Sequence, residues 1–430
     1  MLDPQAIRED TDRVRKALAS RNDPSLLELL DRVVKLDQDR RRLQTAQDER
    51  RARLNLLSRQ IGELISKGTP ASDVEQRRQD AHGESNLIQS AGKDLERADA
   101  ELRDLLLQLP NLPLVDVPPG LASENNVVRT GGELRTFDFA PLPHWELGER
   151  LGIIDFQRGV KLSGSRFFVL KGAGAKLERA LISWMLDLHV QEHGYQEVYP
   201  PFLVKGEALY GSGNLPKFGE NLYHDAEEDL WLVPTAEVPL TNMHRDEILE
   251  PGTLPISYVA YTPCFRREKA AAGKDTRGIK RVHQFDKVEM YKFVEPGKSN
   301  EELPRLVADA ENVCQRLGLP YRVVELCTED LGFASAKSFD LEVWAPGCGE
   351  WLEVSTCSNC TDFQARRANV RYRPSPRARP EFVHTLNGSG LALPRVVIAL
   401  LESYQQQDGS VLIPKELQEY TGFEVIKGPS

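Results

Sequence analysis

A short stretch of the chain, FRREKAAAGKDTRGIKRVHQF, concentrates positive charge between Phe265 and Phe285. It contains seven lysines and arginines, and only Glu268 and Asp275 oppose them. Strand-like sequence flanks it on both sides and glycines interrupt its middle, which predicts a β-hairpin with a long mobile loop. Arg266 ends the incoming strand, where its planar guanidinium can grip a phosphate with two hydrogen bonds. Phe285 opens the return strand, where its ring can stack on a base.

The same stretch also has a purely structural interpretation. Its charges suit a solvated turn, and Phe285 suits a hydrophobic core. On this stretch alone the two interpretations are even. The whole chain carries a net charge of −10, which argues against broad, non-specific binding of nucleic acid. Local binding stays open, because it depends on where the charges lie rather than on their sum.

Three other stretches carry side chains that suit the binding of a nucleotide or an amino acid. In WLEVSTC, Glu353 and Thr356 are three residues apart near a strand end, and a carboxylate with a hydroxyl can bind magnesium between phosphates. In PTAEVPL, Thr235 and Glu237 share one face of a segment that we expect to be extended. In DKVEMYKF, Glu289 lies on the return strand. These carboxylates can receive an ammonium group.

The segment NGSGLALPR predicts an anion site of another kind. Its glycines precede a helix that we expect to begin near Leu391. A glycine-rich turn at a helix N-terminus favours anions through free N–H groups and the helix dipole. Arg395, one turn into this helix, adds a formal positive charge.

Composition limits the class of protein. The chain of 430 residues is long enough for two or three domains, and 40% hydrophobic with 28% charged residues is typical of a soluble globular protein. The sequence has no run of about 18 apolar residues and no apolar signal core at its charged N-terminus, so we expect a cytoplasmic protein without a membrane span. Six cysteines are too few for a disulfide framework. The CxxC pair Cys357 and Cys360 lacks a second ligand pair, which favours incidental buried thiols over a zinc site.

Residues of about 26–107 show two heptad patterns separated by SKGTPAS. Gly68 can end the first helix, and Pro70 prevents its continuation. Ser72 and Glu75 then suit a capping box for the second helix. The pattern predicts an antiparallel two-helix arm with an interrupted apolar seam.

The two helices of this arm differ in charge. Residues 31–64 carry nine basic and six acidic side chains, whereas residues 72–107 carry five and nine. Most single charges of this kind belong to a solvated coiled-coil surface. The functional interpretation is that the basic helix lies against a polyanion. Its candidate contacts are Arg40, Arg41, Arg42, Arg50, Arg51 and Arg53.

These patterns divide the chain into a first domain over 1–108 with the arm, a proline-rich linker over 109–129, and a second domain over 130–430. In the last of these, strand-like segments lie close together with few long helices between them. This spacing favours an α+β domain on an antiparallel sheet with flanking helices over a doubly wound fold.

The segments PTAEVPL, GSGNLPKF, FRRE…RVHQFDKVE, EVSTCSNCTDFQARR and HTLNGSGLALPR, in this order and spacing, resemble those of the seryl-tRNA synthetases, a family of class II aminoacyl-tRNA synthetases. The arm and the linker extend the resemblance over essentially the whole chain. It implies a class II catalytic domain on a mixed, mainly antiparallel sheet. Motif 1 would lie around 177–201 at a homodimer interface, motif 2 in the opening hairpin, and motif 3 at HTLNGSG and the helix after it.

Family roles transfer onto matching positions of this chain. The resemblance implies that serine is bound by Thr235, Ala236, Glu237, Glu289 and Ser389. It implies that ATP is bound by Arg266, Arg267, Glu268, Val282, Phe285, Glu353, Val354, Ser355, Thr356 and Arg395. It assigns catalysis to Arg266 and Arg395, and Mg²⁺ to Glu353 and Thr356. Thr356 stands where many relatives have serine, and Leu393-Pro394 replaces the Val-Gly often found before the motif 3 arginine; neither change removes a needed group.

The resemblance implies a serine–tRNA ligase that attaches L-serine to serine tRNA through a seryl-adenylate, releasing AMP and pyrophosphate. The arm would hold the tRNA, and the family also serylates selenocysteine tRNA where that tRNA exists. Two alternatives come from other classes. One is a synthetase-like enzyme that activates an amino acid for a non-tRNA acceptor, and the other is a non-catalytic coiled-coil scaffold with a nucleotide-binding domain.

Overall fold

The computed structural model describes residues 1–68, 70–269 and 277–429. The chain forms two compact units. The smaller unit comprises Leu2–Ala19 and Asp23–Leu109, and the larger comprises Met1, Ser20–Asn22 and Pro110–Ser430. Among the described residues, no helix combines the length and the apolar character that crossing a membrane requires.

The smaller unit is helical. Its helices are α1 (Pro4–Glu9), α2 (Thr11–Ala19), α3 (Ser25–Ser66) and α4 (Ala71–Gln108). Helices α3 and α4 are 42 and 38 residues long and form the predicted antiparallel arm, and at 1.5 Å per residue each is about 60 Å long. Gly68 adopts a φ of +67° after α3, as its predicted role in ending the helix requires. The predicted capping box is wrong, because α4 begins at Ala71 and Pro70 occupies the N-cap, which places Ser72 inside the first turn.

Polar contacts interrupt the apolar seam of the arm. Gln47 of α3 and Glu84 of α4 are both buried. Arg50 Nη1 lies 3.3 Å, and Arg53 Nε 3.4 Å, from the Glu84 carboxylate. Near the base of the arm, Arg40 Nε donates to Asp99 at 2.6 Å, one of several contacts that set the register of the two helices.

The larger unit contains the following helices: α5 (His144–Arg150), α6 (Phe156–Ser163), α7 (Ala173–Gln191), α8 (Gly206–Ser212), α9 (Glu237–Thr241), α10 (Ser299–Arg316), α11 (Phe363–Ala368), α12 (Leu393–Tyr404) and α13 (Lys415–Thr421). Its short strands are β2 (Ile154–Asp155), β3 (Val169–Leu170), β5 (Leu203–Val204), β6 (Trp231–Leu232), β7 (Ile248–Leu249), β13 (Arg371–Tyr372), β14 (Glu381–Phe382), β16 (Val411–Leu412) and β17 (Val425–Ile426). They form small two- and three-stranded sheets.

An eight-stranded sheet organises this unit. Its strands are β1 (Asn126–Gly131), β4 (Gln196–Glu197), β8 (Ile256–Phe265), β9 (Gln284–Val294), β10 (Tyr321–Glu325), β11 (Lys337–Ala345), β12 (Glu350–Thr361) and β15 (His384–Ala392). Their spatial order is β1-β10-β11-β12-β15-β9-β8-β4. Strand β4 runs parallel to β8, and the other neighbouring pairs are antiparallel. This confirms the predicted α+β fold on a mainly antiparallel sheet.

The hydrophobic core lies between one face of this sheet and helices α7, α10 and α12. In β9, Val288 and Met290 belong to this core. Because side chains alternate along a strand, Lys287 and Glu289 lie on the opposite face. The buried face therefore fixes which β9 side chains are available for chemistry.

The glycines of NGSG lie inside strand β15, which corrects the expectation of a glycine-rich turn. Helix α12 begins only at Leu393, with Pro394 in its first turn. A Cβ on Gly388 would lie 2.7 Å from Cys357 Sγ, and one on Gly390 would lie 2.4 Å from His189 Nε2. These glycines therefore allow β15 to pack closely between its neighbours, which is a different role from presenting N–H groups to an anion.

We predict that Gly388→Ala lowers the free energy of unfolding by about 1–3 kcal/mol, because the new methyl group overpacks the contact with Cys357. Gly297→Ala is the matched control, since a Cβ there would meet no atom within 4 Å. Chemical denaturation followed by tryptophan fluorescence reports on the larger unit, which contains all five tryptophans. Equal stability of the two variants would contradict the close-packing explanation.

Candidate active site

A cavity of about 380 Å³ opens on the sheet face opposite the core, beside β9, β12 and β15. A volume of this size suits a small organic ligand. The cavity is lined by many of the predicted site residues, namely Glu237, Arg266, Glu268, Val282, Phe285, Glu289, Glu353, Val354, Ser355, Thr356, Ser389 and Arg395. Three predicted residues do not line it: Thr235, Ala236 and Arg267.

The hairpin of β8 and β9 places a cation beside an aromatic ring. Cys264 pairs with Phe285 in the ladder, and Arg266 follows the end of β8. The Arg266 guanidinium carbon lies 5.1 Å from the centre of the Phe285 ring, and its Nε donates to the Pro234 carbonyl at 3.2 Å. The predicted long mobile loop of this hairpin includes residues 270–276, which lie outside the described residues.

The side chain of Glu268 faces the segment that leads into β9. Its φ of +49° is unusual for a residue other than glycine, and such strained backbone often occurs at functional sites. Its carboxylate accepts a hydrogen bond from Arg281 Nη1 at 2.7 Å. Arg267 lies elsewhere, with its guanidinium carbon 5.3 Å from the centre of the Tyr223 ring. The structure therefore brings Arg266 and Glu268 to the cavity and leaves Arg267 outside it.

Two carboxylates and a lysine meet in the wall of the cavity. Lys287 Nζ lies 2.7 Å from Glu289 Oε2 and donates to Thr235 Oγ1 at 2.7 Å. The predicted extended segment around Thr235 is wrong, because Glu237 begins the short helix α9. Gln364 Nε2 donates to Glu237 Oε1 at 2.6 Å. Burial, together with the charge of Glu289, raises the pKa of Glu237 to about 7.

Strand β15 adds hydroxyl and amide groups to this cluster. Ser389 is the register partner of Glu289, and its hydroxyl donates to Glu289 Oε2 at 3.4 Å. Asn387 Nδ2 donates to the other oxygen, Oε1, at 3.5 Å. Ala236 lies apart from this cluster in a hydrophobic core. A small molecule with an ammonium and a hydroxyl group would meet complementary partners around Glu289.

A β-bulge in β12 brings Glu353 and Thr356 together. Glu353 pairs with Glu342 of β11, while Ser355 pairs with the adjacent Leu341, so Val354 is the extra residue. Without the bulge, side chains three positions apart would lie on opposite faces of the sheet. In the bulged strand, the Thr356 hydroxyl donates to Glu353 Oε1 at 3.3 Å.

This oxygen pair fits the implied magnesium ion. Asp340 of β11 lies opposite Thr356, and its Oδ1 is a buried atom without a hydrogen-bond partner among the described residues. Burial and the nearby charge of Glu353 raise the pKa of Asp340 well above its usual range. Carboxylate and hydroxyl oxygens are the ligands that Mg²⁺ takes in proteins, so Glu353, Thr356 and Asp340 form a suitable donor set.

Arg395 lies in the first turn of α12 and reaches the same region. Its Nη1 donates to the Glu353 carbonyl at 2.6 Å and lies 3.6 Å from the Glu353 carboxylate. Its Nε donates to the Lys280 carbonyl at 3.3 Å. Ser355, on the same strand as Glu353, donates its hydroxyl to the Ser389 carbonyl at 2.7 Å and so links the metal region to the carboxylate cluster.

Sequence reasoning missed several polar residues of the site. The sequence could have indicated Lys287, because a residue two positions before Glu289 lies on the same face of the strand. Asn387 likewise precedes Ser389 by two. The sequence has no such indication for Asp340 and Gln364, since only the sheet register and the tertiary fold bring them to the site. Cys357 and Cys360 are both buried free thiols, as predicted.

Comparisons with known proteins agree over the full length of the chain. The model of the tRNA synthetase class II core domain (G, H, P, S and T) matches residues 220–404, and that of the seryl-tRNA synthetase N-terminal domain matches residues 1–113. The serine–tRNA ligase of Thermomicrobium roseum is 60% identical over 98% of this chain and 94% of its own. That of Dehalococcoides mccartyi is 56% identical over 99% and 100%. The crystal structure of seryl-tRNA synthetase from Pyrococcus horikoshii complexed with ATP matches with a TM-score of 0.94 and 37% identity, covering 100% of both chains.

We predict that Glu237→Gln stabilises the fold at high pH. Because the folded-state pKa of Glu237 is about 7 and the ordinary value is 4.5, the folded protein holds the proton more tightly, and the free energy of unfolding falls as pH rises from about 4.5 to 7. Glutamine removes this penalty, so at pH 8 the variant should be more stable by about 1–3 kcal/mol.

The gain should vanish below about pH 4.5, where both states are protonated. Urea unfolding of wild type and variant at several pH values measures it. Glu220→Gln is the control, because the Glu220 side chain is 89% exposed. A stability difference that does not change with pH would contradict the raised pKa.

Proposed function

Because the chain belongs to the seryl-tRNA synthetase family of class II aminoacyl-tRNA synthetases, we propose that its cavity is where serine and ATP react and that its arm holds the tRNA. The enzyme attaches serine to serine tRNA through a seryl-adenylate and releases AMP and pyrophosphate. One observation carries the assignment of the cavity: the arginines, the carboxylate cluster and the Glu353–Thr356 pair line a single space. A synthetase-like enzyme for a non-tRNA acceptor does not explain the long helical arm, and a non-catalytic scaffold does not explain the complete set of charged side chains in the cavity.

The first step joins the carboxylate of serine to the α-phosphorus of ATP. A carboxylate is already ionised at pH 7, so no general base is needed. Catalysis then depends on positioning and on neutralising phosphate charge. We assign Arg266 to the α-phosphate and Phe285 to the adenine ring; their contact at 5.1 Å supports this, since one nucleotide can reach both.

We assign Arg395 to the departing pyrophosphate. Its contact with Glu353 places it beside the oxygen set that would hold Mg²⁺, namely Glu353, Thr356 and Asp340. When bound, the metal ion neutralises negative charge on the phosphates. In the second step the activated acyl group moves to a hydroxyl of the terminal ribose of the tRNA, and AMP leaves.

Selectivity for serine requires hydrogen bonds, because so small a side chain offers little apolar surface. A site built around a substrate hydroxyl strongly rejects analogues that lack it. We propose that Glu237, Glu289 and Ser389 surround the ammonium and hydroxyl groups. Thr235 acts indirectly by holding Lys287, and Ala236 supports the start of α9 from the core.

We propose that the basic helix α3 contacts the sugar–phosphate backbone of the tRNA, in the long variable arm and elbow. Phosphate contacts fix register and orientation rather than reading sequence. Several α3 arginines make ion pairs with acidic residues of the arm. Arg42 and Arg51 lie 3.5 and 4.0 Å from exposed aspartates of their own helix, and their side chains are 80% and 58% exposed. This makes them good candidates for phosphate contacts.

We further propose a homodimeric, cytoplasmic enzyme. The family resemblance places the dimer interface around 177–201, which includes most of α7 and strand β4. All six cysteines are free thiols, as suits a reducing compartment.

We predict that Glu289→Gln lowers kcat/KM for serine in ATP–pyrophosphate exchange by about 10- to 100-fold, the loss expected from one hydrogen bond to a charged group. Glutamine keeps the shape of the side chain, whereas alanine would also leave Lys287 buried without its partner. Glu295→Gln, at the exposed position directly after the same strand, is the control. Exchange close to wild type at low serine concentration would defeat this assignment.

We predict that deleting residues 30–105 abolishes tRNA charging and leaves serine-dependent pyrophosphate exchange largely intact. A finer test keeps the arm and reverses two exposed charges, Arg42→Glu with Arg51→Glu. The matched control reverses Arg78 and Arg97 of α4, whose side chains are 59% and 79% exposed.

The α3 variant should raise KM for tRNA by about tenfold or more and reduce the dependence of KM on salt concentration, because fewer counterions are released. The α4 variant should change both by less. Equal effects of the two variants would contradict the role given to the basic helix, and unchanged charging after the deletion would contradict the role of the arm itself.

A further inference from the structure

The carboxylate of Glu402 is fully buried, is not among the residues proposed to contact serine or ATP, and accepts four hydrogen bonds. Glu402, near the end of α12, and His144, at the start of α5, are both 0% exposed. Glu402 Oε1 accepts from His144 N and Nδ1, each at 2.8 Å, and from Cys348 Sγ at 3.0 Å. Glu402 Oε2 accepts from Cys348 N at 2.9 Å. Burial alone would raise the pKa of Glu402, but the bonds from His144 and Cys348 lower it below its usual range.

These three side chains are close enough to hold a metal ion, yet their bonding favours a different role. Ile279 N donates to His144 Nε2 at 3.1 Å. Nε2 must therefore carry a lone pair, so Nδ1 carries the proton and donates it to Glu402. Burial raises the pKa of Cys348 well above its usual range, which keeps the thiol protonated and unsuited to metal binding or nucleophilic attack. Both nitrogens of His144 are in use, and the cluster is a hydrogen-bond network.

The network connects to Arg395 through the backbone. Glu402 and Arg395 are seven residues apart on α12, so they lie on the same face of the helix, two turns apart. Glu402 orients His144, and His144 holds Ile279 N. The carbonyl of the following residue, Lys280, accepts from Arg395 Nε at 3.3 Å. These hydrogen bonds and the backbone between them form a closed ring, which connects Ile279 and Lys280 to helix α12 at both Glu402 and Arg395.

Two further contacts hold the same segment against α5. The Arg277 guanidinium carbon lies 5.1 Å, and Lys280 Nζ 5.6 Å, from the centre of the Trp145 ring. Gly278 has a φ of +70°, and a Cβ on it would lie 1.9 Å from His144 Nε2. The backbone at Gly278 therefore lies so close to the imidazole that only glycine fits at this position.

We propose that His144, oriented by Glu402, is a positioning residue for ATP: it fixes the Ile279–Lys280 backbone and thereby the guanidinium of Arg395. It touches no reacting atom. The inference rests on the proposed role of Arg395 at the phosphates. It adds a residue on α5, which lies outside residues 1–113 and 220–404 that the family models match.

Two substitutions of His144 separate its two bonds. In His144→Asn, the amide nitrogen can replace Nδ1 and donate to Glu402, but no acceptor remains for Ile279 N. In His144→Gln, the longer side chain can place its carbonyl near the position of Nε2 and accept from Ile279 N, while the bond to Glu402 is lost. We expect His144→Asn to raise KM for ATP in pyrophosphate exchange by about tenfold or more, and His144→Gln to restore part of the loss. KM for serine should change by less than about twofold.

A rise in KM for ATP without a matching rise in KM for serine distinguishes a positioning role from general support of the fold. A purely structural role would reduce the fraction of folded enzyme, which lowers kcat and leaves both KM values unchanged. Glu149→Gln, at an exposed position of α5, is the matched control and should leave all three constants unchanged. Should His144→Asn fail to fold, Glu402→Gln, which weakens the orientation of His144, must show the same selective rise in KM for ATP.

A double-mutant cycle with Arg395→Ala separates this inference from the proposed function. If His144 acts through Arg395, the double variant should bind ATP no worse than Arg395→Ala alone. Full additivity of the two losses, or an equal rise in KM for serine, would overturn the role of His144. An Arg395→Ala enzyme with normal KM for ATP and normal kcat would instead overturn the role assigned to Arg395.

Discussion

The site depends on the antiparallel pairing of β9 with β8 on one side and β15 on the other. One face of β9 is packed into the core through Val288 and Met290, so the opposite face must carry Lys287 and Glu289. A slip of one residue would exchange these two sets and place charges in the core. Ladder register then brings Ser389 of β15 beside Glu289, and the hairpin brings the Arg266 and Phe285 side chains to one wall. The hydrophobic core thus sets the geometry of the polar site on the other side of the sheet.

The cavity concentrates charges that the fold itself leaves poorly compensated. Glu237 and Asp340 both have raised pKa values, each because of burial and a neighbouring carboxylate. A positively charged group, such as the ammonium of an amino acid or a divalent cation, would lower both pKa values. Lys287, held between Glu289 and Thr235, compensates the cluster only in part. The carboxylates of the site destabilise one another, and a bound cation would relieve this repulsion, which is a common compromise between stability and function.

The sequence predicted the long elements, and most of the side chains that line the cavity, better than the local conformation of the site. Heptad spacing and the Gly68–Pro70 turn predicted the arm, and alternation predicted the long strands of the sheet. The errors arose where tertiary packing overrides local signals. The glycines of β15 serve close contact with Cys357 and His189, and the PTAEVPL segment turns into α9 at Glu237. The bulge at Val354 and the approach of Asp340 depend on register between strands, which the composition of a single strand does not encode.

The basic stretch at 265–285 divides into parts with different physical roles. At its start, Arg266 packs on Phe285, and Glu268 accepts a hydrogen bond from Arg281. These two contacts join the β8 side of the hairpin to its β9 side next to the cavity. At its end, the charges of Arg277 and Lys280 are directed onto the Trp145 ring, while the Lys280 carbonyl receives Arg395. Positive charge in this stretch therefore does more than attract an anion: aromatic and carbonyl partners fix several of its members in place. Preorganised charges lose less free energy to reorganisation when charge develops on a substrate, so fixed ends suit the role in adenylation that we propose for this segment.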